Sequence, residues 1–182
     1  GLGYEQTFAA LKLPFVGLYG LILSPGVGLL FFFPLSVLIP ISVRDFYKQH
    51  KREAILFIGI FLTFLFSAST FHNWHGWYYW GPRYLLDALP YIVLPMGSTI
   101  QKLQRQLCGK VMTACLFALG LVVNFLGVVF NFHYGFAYIL EKYELSKEGA
   151  NWFERSLFDP RFSPIRAHID MLFENYVPVR ID

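Results

Sequence analysis

The chain has 182 residues, of which 55% are hydrophobic and 19% aromatic, with only 15% charged. A soluble domain carries about 25% charged residues, so apolar runs bounded by charges read here as an all-α, polytopic membrane protein. The net charge of +3 comes without a basic run or a nucleic-acid motif, which argues against nucleic acid as a partner.

Residues 1–28 are rich in glycine and aromatics, with Glu5 and Lys12 as their only charges. The chain begins at Gly1 without a signal-peptide pattern, and we expect it to be a C-terminal portion of a longer polypeptide. The apolar run from Phe15 to Leu23 is too short to span and stops at Ser24-Pro25-Gly26, so an interfacial or re-entrant segment is expected. Gly17, Gly20, Gly26 and Gly28 would permit close packing there.

The first expected span is 29–43, interrupted by Pro34 and Pro40, which implies a kinked, buried helix. Arg44, Asp45, Lys48, His50, Lys51, Arg52 and Glu53 follow, and four strong bases in a short loop mark the cytoplasmic side. The second span, 54–70, is free of charge and delivers the chain to an aromatic stretch, His72 to Pro90, with three Trp, three Tyr and two His. Trp and Tyr at that density suit a membrane–water interface, where an amphipathic ring keeps one end wet. The third span, 84–100, contains Pro90 and Pro95, and Lys102, Arg105 and Lys110 return the chain to the basic side. The fourth, 111–132, is the cleanest; Asn124 within it reads as helix–helix glue. The expected organisation is therefore a polytopic region over 1–132, with about four transmembrane helices, N-out and C-out. An extracytoplasmic tail over 133–182 completes it. In the tail, Glu141, Lys142, Glu144, Lys147 and Glu148 suggest a solvated helix face, 159–164 a turn, and 165–173 a short amphipathic helix. Trp152, Phe153, Phe158 and Phe162 are too apolar to stay solvated and are expected to fold against the aromatic stretch.

Arg83 and Asp87 stand at the mouth of the third span, four residues apart, and on an α-helix they would share a face. An ionisable residue at that depth is a functional candidate. Arg83, Tyr84, Asp87, Trp77 and Trp80 are accordingly the candidate substrate-binding residues. His72 and His75 have a spacing that can converge on an ion, and His133 lies farther on. No Cys or Glu stands beside them to complete a tight site, so neither a metal nor another cofactor is expected. Cys108 and Cys115, seven residues apart on one helix, would lie ~10 Å apart along its axis, too far for a disulfide. No nucleophile elbow, P-loop or zinc-protease motif is present.

Two segments carry a resemblance. One is Gly17-Leu18-Tyr19-Gly20-Leu21-Ile22-Leu23-Ser24-Pro25-Gly26-Val27-Gly28-Leu29-Leu30 with Pro34; the other is Trp77 to Trp80, Gly81-Pro82-Arg83-Tyr84-Leu85-Leu86 and Leu89-Pro90. Together they resemble the C-terminal half of GT-C-fold membrane glycosyltransferases of the protein mannosyltransferase and aminoarabinose transferase superfamily. The segment from Asp159 to Ile165 is similar to the ending of members of that group. The resemblance implies a polyprenyl-phosphate-linked sugar donor and transfer on the non-cytoplasmic face. It also implies a catalytic Asp or Glu in a first outer loop, which no segment here matches; Glu5 lacks that context. Val27 stands where such proteins often carry Arg, and Asp87 where Pro is common. The expectation is thus a glycosyltransferase part without its catalytic half, integral to the plasma membrane of a prokaryote. Membrane lipids, the lipid-linked sugar and other membrane subunits are the expected partners. The alternatives are a non-catalytic integral subunit of a larger membrane complex, or a transporter fragment with proline-broken helices.

Overall fold

The computed structural model describes residues 14–71, 73–76, 79–143 and 151–174, with backbone only for 151–154. All regular structure among them is helical. Helix α1 covers Pro14–Leu23 and α2 is a single turn, Leu29–Phe32. A 3-10 helix, Pro34–Leu38, leads into α3, Ile39–Gln49, and then α4, Lys51–Thr70. A second 3-10 helix, Arg83–Ala88, precedes α5, Leu89–Leu103, and α6, Leu107–Val129. The tail forms α7, Phe132–Lys142, α8, Asn151–Phe158, a 3-10 turn, Pro160–Phe162, and α9, Pro164–Glu174.

Two helices, α4 with 20 residues and α6 with 23, are long and apolar enough to cross a membrane. Only 22% and 11% of their apolar windows are buried, unlike the core helices of a soluble protein. Of the four expected spans, only these two are single helices of that length. The expected first span, 29–43, divides into α2, the first 3-10 helix and the start of α3. Pro34 and Pro40 both stand in first-turn positions, where their missing N–H is tolerated. The expected third span, 84–100, likewise divides into a 3-10 helix and α5, with Pro90 in the first turn of α5. The basic segment expected as a loop is mostly helical: α3 runs to Gln49 and α4 restarts at Lys51, with only His50 between them. The fourth helix begins four residues earlier than expected, at Leu107, and ends at Val129. The N-terminal segment expected to be re-entrant or interfacial contains α1, a ten-residue helix. Its residues 1–13 lie outside the described ones, as do 144–150 and 175–182 of the tail.

The helices share two ends. At the basic end, α3 turns into α4 and α5 turns into α6, and Lys102 Nζ meets Asp45 Oδ2 at 2.8 Å across the two turns. That lysine holds the Asp45 carboxyl below its ordinary range. At the other end, a core gathers Leu21, Leu65, Ala68, Trp74, Leu85 and Leu157 from α1, α4, the aromatic stretch, the second 3-10 helix and α8. Gly17 lies directly on the Ser69 backbone and Gly20 on the Trp74 ring, so α1 packs on α4 without intervening side chains. Asn124 donates to the carbonyls of Phe32, at 3.0 Å, and Gly120, at 2.8 Å, tying α6 to α2 as helix–helix glue.

Candidate functional site

The aromatic stretch leaves α4 at Phe71 and turns twice at glycines with positive φ, Gly76 at 77° and Gly81 at 75°. That region strains a residue with a side chain. At Gly81 an added Cβ would also meet the Phe32 ring at 3.0 Å. The Gly81-Pro82 turn folds the chain so that Arg83 comes back over Tyr79, with the guanidinium carbon 3.9 Å from the ring centroid. A second ring, Tyr84, lies 5.4 Å away, itself held edge-on by Phe71. Gly76 packs on the aliphatic stem of Arg83. The result is an exposed arginine stacked on Tyr79 and close to Tyr84, a cation–π arrangement that restrains the guanidinium.

Arg83 and Asp87 do not share a face as expected. They lie in a 3-10 helix, where residues three apart are eclipsed and residues four apart are rotated away from each other. Among the described residues no ion pair joins them, and both are exposed. Tyr84 belongs to the site together with Arg83. Trp80 does not. Its ring turns inward, edge-on to Phe32 at 5.3 Å and stacked on His168 of α9 at 4.5 Å and 16°. Trp77, like His72 and Tyr78, lies outside the described residues. The site residue that sequence reasoning missed is Tyr79. A Tyr four residues before an Arg, with Gly-Pro between them, is the signal that could have found it.

Trp80 and His168 instead form a buried joint between the aromatic stretch and the tail. His168 is fully buried, and its Nδ1 lies 3.2 Å from the Leu126 carbonyl. Burial pulls its pKa down to about 4, only partly opposed by the Leu126 carbonyl, so the ring is neutral and donates from Nδ1. Among the described residues its Nε2 and the Trp80 Nε1 have no partner. Gly127 and Gly135 make room for the pair: a Cβ would stand 2.5 Å from Trp80 and 2.6 Å from His168 respectively. The tail also docks through its backbone, with Gly26 N–H donating to the Leu157 carbonyl at 3.1 Å and the buried Ser24 hydroxyl donating to the same oxygen. Phe158 packs against Trp74 and Tyr19, and Phe162 against Tyr143. Trp152 and Phe153 have no described side chains.

His75 stacks edge-on against Trp74, and among the described residues no three of His, Cys, Asp and Glu gather as metal ligands. Cys108 and Cys115 are both free and exposed. What the site can do chemically is grip an anion: a planar fork suited to two hydrogen bonds, flanked by phenols, at the aromatic end of the molecule. Comparison with protein-family models, curated proteins and solved structures returns no match, so the function has to be argued from this geometry.

Proposed function

We propose that this chain is a GT-C-like part of a membrane glycosyltransferase, and that Arg83 grips the phosphate of a polyprenyl-phosphate-linked sugar on the non-cytoplasmic face. In this reading the chain spans the membrane four times, N-out and C-out, in the plasma membrane of a prokaryote. The segments 29–43 and 84–100 act as composite spans beside α4 and α6. The chain supplies walls and a phosphate contact, and the catalytic carboxylate comes from elsewhere. One observation carries the proposal: Arg83 is exposed at the aromatic end and stacked on Tyr79, with no carboxylate partner among the described residues. A guanidinium beside apolar spans is stabilised by a counter-charge, so an arginine without a carboxylate partner favours an anionic ligand. Tyr79 and Tyr84, the two rings beside the Arg83 guanidinium, would face the sugar-phosphate, while Trp80 packs inward on Phe32 and His168.

Arg83→Lys keeps the charge and loses the fork. It should weaken binding of polyprenyl phosphate by about tenfold or more, equivalent to ~1.4 kcal/mol. Because the side chain is exposed, thermal stability should change little. Unchanged polyprenyl-phosphate binding in a folded Arg83→Gln variant removes the phosphate role. The rival reading, a non-catalytic subunit of a larger membrane complex, draws on the apolar groove between α6 and Leu172 of α9, about 600 Å³ in volume. A stable larger assembly in mild detergent, with no binding of lipid-linked sugar, would favour it.

A further inference from the structure

At the basic end, far along α6 from the aromatic stretch, a groove of about 410 Å³ opens between α5, α6 and the first 3-10 helix. Its walls change character along its length. Lys110, Thr113, Ala114 and Phe117 occur at i, i+3, i+4 and i+7, which is one face of α6. Ile100 near the end of α5 and Gln104 just past it form the facing wall, and Leu35 closes the floor. The Thr113 hydroxyl already donates to the Gly109 carbonyl at 2.8 Å, so it asks nothing of a ligand. The groove is therefore apolar over Leu35, Ile100, Ala114 and Phe117, and polar only at the mouth, with Gln104 and Lys110. From Lys110 to Phe117 the helix rises ~10 Å, about a third of the ~30 Å hydrocarbon core.

The charge at the mouth is unmatched. Lys102 is engaged by Asp45, whereas Lys110 is exposed and has no ion pair among the described residues. We infer that this groove holds one anionic phospholipid, with its phosphate at Gln104 and Lys110 and one acyl chain along Ile100, Ala114 and Phe117. Charge complementarity selects an anionic headgroup over a zwitterionic one, which would bring its own cation to an unpaired base. The inference rests on the membrane reading alone and not on glycosyl transfer. The groove lies at the opposite end of α6 from Arg83, so this lipid is not the sugar donor.

The test uses the full chain, delipidated in neutral detergent. Phosphatidylglycerol or phosphatidylcholine is then added, and retained lipid is read by native mass spectrometry alongside thermal unfolding. Phosphatidylglycerol should be retained at about one per chain and raise the midpoint more than phosphatidylcholine. Lys110→Gln should cut the preference about fivefold, the loss of one basic contact. Ala114→Trp, at an exposed position, should block the groove and abolish retention. Lys48→Gln, equally basic and exposed but outside the groove, should leave both readouts unchanged. Equal retention of the two lipids overturns the inference. So does a Lys48→Gln effect as large as that of Lys110→Gln, which would mean diffuse attraction to the basic end. Should Ala114→Trp fail to fold, Lys110→Gln against Lys48→Gln decides. Intact polyprenyl-phosphate binding in Lys110→Gln keeps this outcome separate from that of the Arg83 site.

Discussion

Gly127 and Trp80 define the joint at which α6 receives the rest of the aromatic end. In the middle of a helix, Gly→Ala ordinarily stabilises by ~0.5–1 kcal/mol. At position 127 the added methyl would stand 2.5 Å from the Trp80 ring, which is fixed in turn by Phe32 and His168. Gly127→Ala should therefore destabilise by ~1–3 kcal/mol through overpacking. Gly97→Ala, in α5 with nothing within 4 Å, should be neutral or mildly stabilising. Thermal unfolding of the two variants in the same detergent checks the contrast; equal midpoints would mean that the Trp80 ring can move aside. This joint was not legible in the sequence. Trp80 was one of several tryptophans of an interfacial belt, and nothing local distinguishes a ring turned inward on a histidine 88 residues away from its neighbours. Arg83 stood out because an unpaired charge beside apolar segments is rare. Its stacking partner Tyr79 depends on the positive φ at Gly81, which the Gly-Pro pair hints at without specifying.

Among the elements, α9 carries a titration of its own. His168 is buried against Trp80, Phe130, the Leu126 carbonyl and Gly135, none of them charged. Its folded-state pKa, about 4, lies below the ~6.5 of an unfolded histidine. The unfolded chain thus binds more protons between those values, and stability falls as pH drops from ~6.5 toward 4, by up to ~3 kcal/mol. Glu174 acts in the same direction at lower pH. Hydrogen bonds from Lys142, at 2.7 Å, and Tyr138, at 2.7 Å, hold its carboxyl below the usual range, so that contribution is lost as the carboxylate protonates. Protection of α9 amides from hydrogen exchange should therefore weaken between pH 6.5 and 4.5, and His168→Phe should flatten that dependence. A wild-type profile that stays level across this window would contradict a neutral, buried His168. The helices themselves were legible to different degrees. The charge-free runs within α4 and α6 define those helices because each is long and uninterrupted. The pattern predicts one kinked span over the segment with Pro34 and Pro40 and one proline-broken span over the segment with Pro90, yet both split into 3-10 and α pieces. Each proline restarts the helix in its first turn, so the break falls before it. The tail's amphipathic segment is visible from its pattern and appears as Pro164–Glu174, but the tail's docking through His168 of α9 and Leu157 of α8 is a tertiary fact without a local signature.

At the scale of the molecule, charge is segregated along the long axis of α4 and α6. The basic end carries Arg44, Lys48, Lys51, Arg52, Lys102, Arg105 and Lys110 against Asp45 and Glu53, a net of +5 where the whole chain has +3. The opposite end is aromatic and mixed in sign, with Arg161 paired to Asp159 and Arg166 to Asp170. Both long helices run from the basic end to the aromatic one, and the Lys102–Asp45 contact holds the two basic turns side by side. If the chain crosses a membrane, these turns must share one side, and an excess of Lys and Arg in short connections keeps that side cytoplasmic. Single cysteines at Lys48→Cys and Arg105→Cys, in a background without the exposed Cys108 and Cys115, should then resist a membrane-impermeant thiol reagent in sealed cells and react after permeabilisation. Tyr79→Cys, 51% exposed at the aromatic end, should react in sealed cells. The two basic positions test one another: because Lys102 and Asp45 join their turns, labelling of one without the other is incompatible with the fold. Labelling of both from outside, with position 79 protected, would reverse the orientation. It would place Arg83 in the cytoplasm, where the phosphate of an outward-facing donor could not reach it.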